Sequence, residues 1–336
     1  MTPCCGVACR VGNRVSNAWP DMQRLQRRAA LRMLGLALPW HAVSSTAQAI
    51  EKVVEKTTLS RSTPLRVVAS FSILADWLRT LGGSAVSVHA LVGPNADAHV
   101  FEPSPQDARR LKDADLVVVN GLGFEGWIDR LINASGYRGT VVTASAGITP
   151  RRQSGVADPH VWQSLTHAAH CVVNLRNALT RALPSDAVLL AERSTRYLAQ
   201  MGEMDSQWQS RFAAIAKSQR RVITSHDAFG YFGAAYDIEF LAPQGMSTGS
   251  EASAASVARL IDQIKRQSVR ALFVENISDP RLIQRLAQEG GAVIGGRLYS
   301  DALSPPGSEA DTYLAMFAHN AAALSAGMQG RKAAPS

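Results

Sequence analysis

Residues 65–83 read Leu65-Arg66-Val67-Val68-Ala69-Ser70-Phe71-Ser72-Ile73-Leu74-Ala75-Asp76-Trp77-Leu78-Arg79-Thr80-Leu81-Gly82-Gly83. Leu65 to Phe71 is an apolar run of the kind that fills a buried strand. From Ile73 the apolar residues recur at helical spacing until paired glycines stop them. One strand-helix unit is therefore written here almost without a linker, and the same pattern recurs downstream. A strand over 86–92 is followed by a helix over 104–112, a strand over 116–120 by a helix over 125–132, and a further strand lies over 140–143. Strands alternating with helices imply a parallel sheet covered on both faces. In such sheets ligands sit beyond the carboxyl ends of the strands.

Residues 151–157 form a short polar link. Asp158-Pro159 then suits a helix entrance, which puts His160 in the first turn of a helix that ends near Pro184. From 185 to 216 the one breaker is Gly202, while Leu190, Tyr197, Met201, Met204, Trp208, Phe212 and Ile215 recur at three and four residues. This pattern predicts one amphipathic helix of about 30 residues, roughly 45 Å long, with its Met and Trp positions in the core. A second set of units follows, with strands over 221–225, 238–242, 271–275 and 292–294 and helices over 228–235, 254–267, 279–288 and 309–327. The predicted fold is α/β. Two lobes with mainly parallel sheets, 50–184 and 218–330, are joined by one long backbone helix over 185–217.

Composition narrows the function. The formal charge of the 336 residues is +8, but residues 1–49 hold six Arg against one Asp, leaving 29 basic and 26 acidic side chains in the rest. That balance excludes a nucleic-acid partner, which needs a clustered basic face. The front segment reads as an export signal: Arg24, Arg27, Arg28 and Arg32 precede a short apolar stretch from Met33 to Trp40, and Ala47-Gln48-Ala49 has the form of a cleavage site. A mature start near Ile50 is expected, with Met22 as an alternative start codon. Arg27-Arg28 partly matches a twin-arginine signal, so the Sec and Tat routes both stay open. Cleavage removes Cys4, Cys5 and Cys9 and leaves Cys171 alone in an apolar run, buried and inert. No cysteine stands in a lipidation context after the leader, which points to a soluble periplasmic protein.

Seven histidines follow the leader, and three of them stand where a strand or loop meets a helix: His99, His160 and His226. His99 belongs to the turn-rich stretch from Gly93 to Pro103, just past a strand end. A fourth junction, around Tyr299-Ser300-Asp301, offers a carboxylate. Three imidazoles and one carboxylate suit Zn²⁺, which accepts both N and O donors. His167, His170 and His319 fall inside helical patterns and His89 inside a strand, where they read as solvated or core residues. Asp97 rivals Asp301 as oxygen donor, but it shares a short loop with His99. Glu102 reads as a helix-entry carboxylate or a partner for a histidine, Asp227 as a cap for the helix from Ala228 or a group that orients His226, and Glu275 as a hydrogen-bonding group inside the cleft.

Seven segments in order carry a resemblance: ASFSILADW (69–77), DAHVFEPSP (97–105), DLVVVNGLGFEGW (115–127), DPHVWQS (158–164), SHDAFGYF (225–232), LFVENISDP (272–280) and LYSDALS (298–304). Residues 65–327 resemble the metal-binding substrate-binding proteins of bacterial ABC transporters for zinc and manganese, the zinc-uptake type. The resemblance implies two α/β lobes joined by a rigid helix with the metal between them. Its ligands would be His99 and His160 from the first lobe and His226 and Asp301 from the second. It also implies an inner-membrane permease with a cytoplasmic ATPase as partner. Two departures bear on the metal. Manganese-type members usually carry glutamate where His226 stands, and the third imidazole shifts the preference to zinc. The stretch 147–157 is short and lacks the histidines found there in many zinc importers, so the ion is either taken up directly or delivered by a separate periplasmic carrier.

The expected function is a monomeric periplasmic zinc receptor, not an enzyme, with a manganese or iron receptor of the same family as the alternative. A zinc hydrolase is the remote alternative, since it needs an open coordination position and a general base, and no His-Glu-x-x-His motif is present. Release is expected through movement of loops and of the second lobe, with Asp301 as the trigger. Asp301→Ala is expected to weaken binding less than the histidine substitutions, and affinity should fall below about pH 6.5, the usual imidazole pKa.

Overall fold

The computed structural model describes residues 63–331 apart from 268 and 270; the export-signal reading, the three leader cysteines and residues 51–62 lie outside the described residues. The described residues belong to one compact unit. Its first sheet holds β1 (Leu65–Phe71), β2 (Val86–Val92), β3 (Leu116–Val119) and β4 (Thr140–Thr143) in the order β2-β1-β3-β4, all parallel. All four residues of β3, Leu-Val-Val-Val, are buried, as expected for a central parallel strand covered on both faces. β4 lies at the sheet edge, where its Thr-Val-Val-Thr sequence is mostly exposed.

Helix α1 (Ser72–Gly82) follows β1 directly and buries Ile73, Leu74, Trp77, Leu78 and Leu81. It stops at Gly83, whose φ of +54° is a backbone conformation that glycine adopts without the strain a side chain would add. Helix α2 (Pro105–Lys112) opens with a capping box between Ser104 and Asp107 and proline in its first turn, so capping does not fall to Glu102, which is exposed. Helix α3 (Ile128–Ser135) starts three residues later than its sequence pattern predicts. The cause is Glu125, which turns inward and accepts from Ser70 Oγ and from the backbone N–H groups of Asn120 and Gly121.

The polar link is structured. β5 (Arg152–Gln153) and β6 (Val156–Ala157) form an antiparallel hairpin, and positive φ at Ser154 and Gly155 marks a type I′ turn. His160 is not in the first turn of a helix as expected. It precedes a single 3-10 turn (Val161–Gln163), and α4 (Leu165–Ala182) starts only after Ser164, whose hydroxyl caps it.

The long helix α5 (Ala187–Ala213) has 27 residues, or about 40 Å, between 3-10 turns at Pro184–Asp186 and Lys217–Gln219. It buries Leu190, Tyr197, Met201, Trp208 and Phe212, the predicted stripe. The second sheet holds β7 (Arg221–Ile223), β8 (Glu239–Leu241), β9 (Ala271–Glu275) and β10 (Val293–Leu298) in the parallel order β10-β9-β7-β8. Its helices are α6 (Gly230–Tyr236), α7 (Ala254–Gln267), α8 (Arg281–Gly290) and α9 (Tyr313–Met328).

The cores are not divided by lobe. One continuous apolar cluster runs from β1 and α1 through α5 to Phe232, Phe273 and Phe317 of the second lobe. A smaller cluster of Val257, Leu260, Ile264, Ile283 and Leu286 fills the outer layer between α7, α8 and β9. The fold is two parallel-sheet α/β lobes linked by a long helix, with strand ends from both sheets facing one cleft. None of the helices among the described residues is long and apolar enough to cross a membrane.

Candidate metal centre

Each of the four side chains singled out in the sequence stands just beyond a strand end or ahead of a helix. His99 follows β2 in the loop ahead of α2. Its backbone N–H donates to Asp97 Oδ1 at 2.8 Å, and Trp127 Nε1 pins the loop by donating to the Ala98 carbonyl at 2.7 Å. His160 repeats the device: its N–H donates to Asp158 Oδ1 at 3.0 Å. The same oxygen lies 2.8 Å from His160 Nδ1. An ionised carboxylate only accepts, so Nδ1 carries the proton and Nε2 keeps its lone pair for the cleft. His226 follows β7. Glu275, at the end of β9, accepts from the N–H groups of Ser225 and His226 through Oε1, and its Oε2 lies 2.6 Å from His226 Nδ1. That contact is close but poorly aligned for a hydrogen bond. Asp301 follows β10 and is fully buried.

These elements bring one donor atom from each of His99, His160, His226 and Asp301 to within 4.8 Å of one another. His99 Nε2 lies 3.3 Å from His160 Nε2 and 3.3 Å from Asp301 Oδ2. His226 Nε2 lies 3.2 Å from the same oxygen, while Asp301 Oδ1 faces His160 Nε2 at 3.7 Å. Phe124 and Trp162 wall the group, with ring centroids 4.7 Å from His99 and 5.3 Å from His160.

Electrostatics make the same point. Among the described residues neither oxygen of Asp301 has a well-aligned hydrogen-bond donor, and His226 Nε2 is likewise unpartnered. A buried carboxylate without donors is costly unless a cation compensates it. Burial pushes the Asp301 carboxyl up, but His226 and His160 override burial and hold it far below the usual carboxylate range. Burial alone would lower the His226 imidazole. Glu275 and Asp301 outweigh it and hold the imidazole well above its usual value. Three nitrogens and a carboxylate converge on one spot, with His226 Nε2 and both Asp301 oxygens short of a partner among the described residues, and this set could hold a divalent cation.

The remaining histidines stay outside this group. His170 Nε2 meets the Ala146 carbonyl, His319 Nε2 the Arg297 carbonyl, and His167 packs on Tyr231. Asp97 supports the loop of His99 and also accepts from Thr248 Oγ1 across the cleft at 2.6 Å. Asp227 is no helix cap: α6 begins after Phe229 without a side-chain cap, and the Asp227 N–H donates to the Gly245 carbonyl. Glu275 hydrogen-bonds inside the cleft, as read from the sequence. Three contributors escaped that reading: Asp158, Glu125, and the pair Trp162 and Gln163, whose side chains both donate to the Ser300 carbonyl at 2.7 Å. A signal for Asp158 was present, since Asp97-Ala98-His99 and Asp158-Pro159-His160 share one spacing.

Comparison with known proteins agrees with this geometry. The family described as "Zinc-uptake complex component A periplasmic" matches residues 67–327. The manganese-binding lipoprotein MntA of Halalkalibacterium halodurans is 31% identical over 257 residues, covering 76% of this chain and 86% of that protein. The iron ABC transporter substrate-binding lipoprotein MtsA of Streptococcus pyogenes serotype M1 is 28% identical over 81% of this chain and 91% of its own. Among solved structures, the periplasmic zinc binding protein TroA from Treponema pallidum superposes with a TM-score of 0.76 at 29% identity, covering 79% of this chain and 99% of that one. The chain belongs to this family of metal-binding substrate-binding proteins of ABC importers, and is a periplasmic transport carrier rather than an enzyme.

Proposed function

We propose that the chain captures a first-row divalent metal ion between His99, His160, His226 and Asp301 and delivers it to an ABC permease driven by a cytoplasmic ATPase. The observation that carries this reading is the fully buried Asp301 carboxylate, which faces three imidazoles and has no donor of its own. The cargo is manganese or iron(II). Asp301 turns both oxygens to the imidazoles, so the cleft offers up to three nitrogens and two oxygens. That set exceeds the four-coordinate preference of structural zinc and suits an ion that accepts more donors. The names of the relatives MntA and MtsA support the same cargo.

Zinc is the second reading, supported by the third imidazole, His226, and by the likeness to TroA. Affinity alone does not separate the two. The general order of stabilities places Zn²⁺ above Mn²⁺ and Fe²⁺ at almost any such site. The deciding experiment measures metal content in protein isolated from its native periplasm, together with uptake of labelled Mn²⁺, Fe²⁺ and Zn²⁺ by cells with and without the gene. Zinc as the one ion whose uptake falls would overturn the manganese or iron reading. The hairpin at 152–157 carries no histidine, so the ion reaches the cleft of a monomer either directly or from a separate periplasmic carrier.

A further inference from the structure

A second cavity, of about 390 Å³, lies beside the metal cradle, lined by Asp97 of the first lobe and by Ser225, Thr248, Glu251, Asp279 and Arg281 of the second. Glu251, Asp279 and Arg281 are exposed and mark its outer part. Arg281 is committed to Asp279 through both its backbone N–H and its guanidinium, so Glu251 and Asp97 keep the wall acidic. At the inner end stands Ser225, which is 1% exposed and adjoins His226 in the chain. Its hydroxyl has no hydrogen-bond partner among the described residues. Buried hydroxyls are almost always paired, so an orphan facing a polar cavity marks a place where something else supplies the partner. Asp97 stands two residues before His99 and Ser225 one before His226. The cavity therefore reaches the chain beside two of the four donors, one from each lobe.

We propose that this cavity is an entry vestibule for the hydrated divalent cation, a binding site distinct from the His99–His160–His226–Asp301 cradle. The proposal rests on the receptor reading above. The volume holds an ion with its inner shell of waters, at about 30 Å³ for each water. Carboxylates suit a hard hydrated cation: its waters donate to Glu251 and Asp97 without leaving the metal, and one meets the Ser225 hydroxyl at the inner end. The bond from Thr248 Oγ1 to Asp97 spans the two lobes at this wall. From the vestibule the ion exchanges its waters for imidazole nitrogens one at a time. The desolvation cost of entering a buried site is thereby divided into steps.

A waypoint on the route changes the rates of entry and exit together and leaves the final equilibrium alone. That signature separates it from a structural role. The test is stopped-flow binding of Mn²⁺ and, separately, Zn²⁺, followed by tryptophan fluorescence, since the Trp162 ring lies 5.3 Å from His160. The variants are Ser225→Ala and Glu251→Gln, alone and combined; the first removes a hydroxyl without a protein partner and the second an exposed charge. The double variant should slow both association and dissociation by about threefold to tenfold, with affinity within about twofold of the parent. Its association should also depend less steeply on salt. Unchanged association, or a loss of affinity carried by faster dissociation alone, overturns the vestibule. Failure of the receptor reading looks different: the parent protein would bind neither ion, or His226→Ala would bind as tightly as the parent, and the vestibule would fall with it.

Discussion

Asp301 contacts all three imidazoles of the cleft and is the one anion among the four donors. Removing it leaves three nitrogens crowded together without a counter-charge, so Asp301→Ala should weaken metal binding at least as much as any single histidine substitution. Isothermal titration of the four alanine variants checks this; a clearly milder loss for Asp301→Ala returns it to the minor role read from the sequence. Behind the ligands, Glu275 sets the orientation of His226, and Glu275→Gln should lower affinity by about tenfold to a hundredfold while the fold persists. The pH dependence follows from the same contact. Because Glu275 and Asp301 hold the His226 imidazole well above 6.5, a proton competes for this residue at neutral pH, and binding must expel it. Affinity should then rise with pH beyond 6.5 and begin to fall on acidification earlier than a free imidazole predicts, as dissociation constants at a series of pH values will show. At this scale the sequence was largely legible. Position at element junctions picked out the four side chains that the fold gathers into one group, and Glu275 was readable at the end of its strand; Glu125, Trp162 and Gln163 were hidden, because they act through distances that only the folded backbone creates.

Among the elements, α5 does the joining, and its buried stripe carries the cost of any truncation. Met201, fully buried in that stripe, should lose about 2–5 kcal/mol of stability on substitution by alanine, measured by urea denaturation. Elements also cap one another. Asp76 of α1 accepts from the Tyr313 N–H in the first turn of α9, and burial raises its carboxyl to about 6, only partly offset by that bond and by Arg79. A folded-state value above the ordinary 3.8 means that the folded protein holds this proton more tightly than the unfolded chain does. The contribution is therefore full below about pH 4 and lost as pH rises through about 6. Asp76→Asn removes that titration, so its stability relative to the parent should climb by on the order of 2–3 kcal/mol between those limits. Equal slopes for the two proteins would show that Asp76 does not titrate in this window. Element type was readable from periodicity almost throughout. Boundaries failed where a side chain turned inward, as Glu125 delays α3, and where a Ser-Gly turn made a hairpin too short to show a period.

At the scale of the whole molecule the two lobes are less separable than their sheets suggest. One apolar cluster continues from the first lobe into Phe232, Phe273 and Phe317, and hydrogen bonds cross the cleft on both sides of Asp301. The Ser300 carbonyl accepts from Trp162 and Gln163; the Leu303 N–H donates to Ser72 Oγ, and its carbonyl accepts from the Asn95 N–H. Asp301 follows a strand of the second lobe, yet its loop is held largely by the first. Opening by a wide swing of the second lobe would exchange all of these bonds for water, at a net cost of about 0.5–1.5 kcal/mol for each. We therefore expect release by a local slip of the Asp301 loop, with the Ser300 carbonyl as its anchor. Replacing both donors, Trp162→Phe with Gln163→Leu, should speed metal release by roughly tenfold to a hundredfold, since 1.4 kcal/mol is one decade. Release can be followed by transfer to a coloured chelator, and hydrogen exchange over residues 299–303 should rise in step. If the double variant were less stable but released metal at the parent rate, the anchor would not govern the closed site, and the motion would have to be sought at His226 and the strand end that carries it.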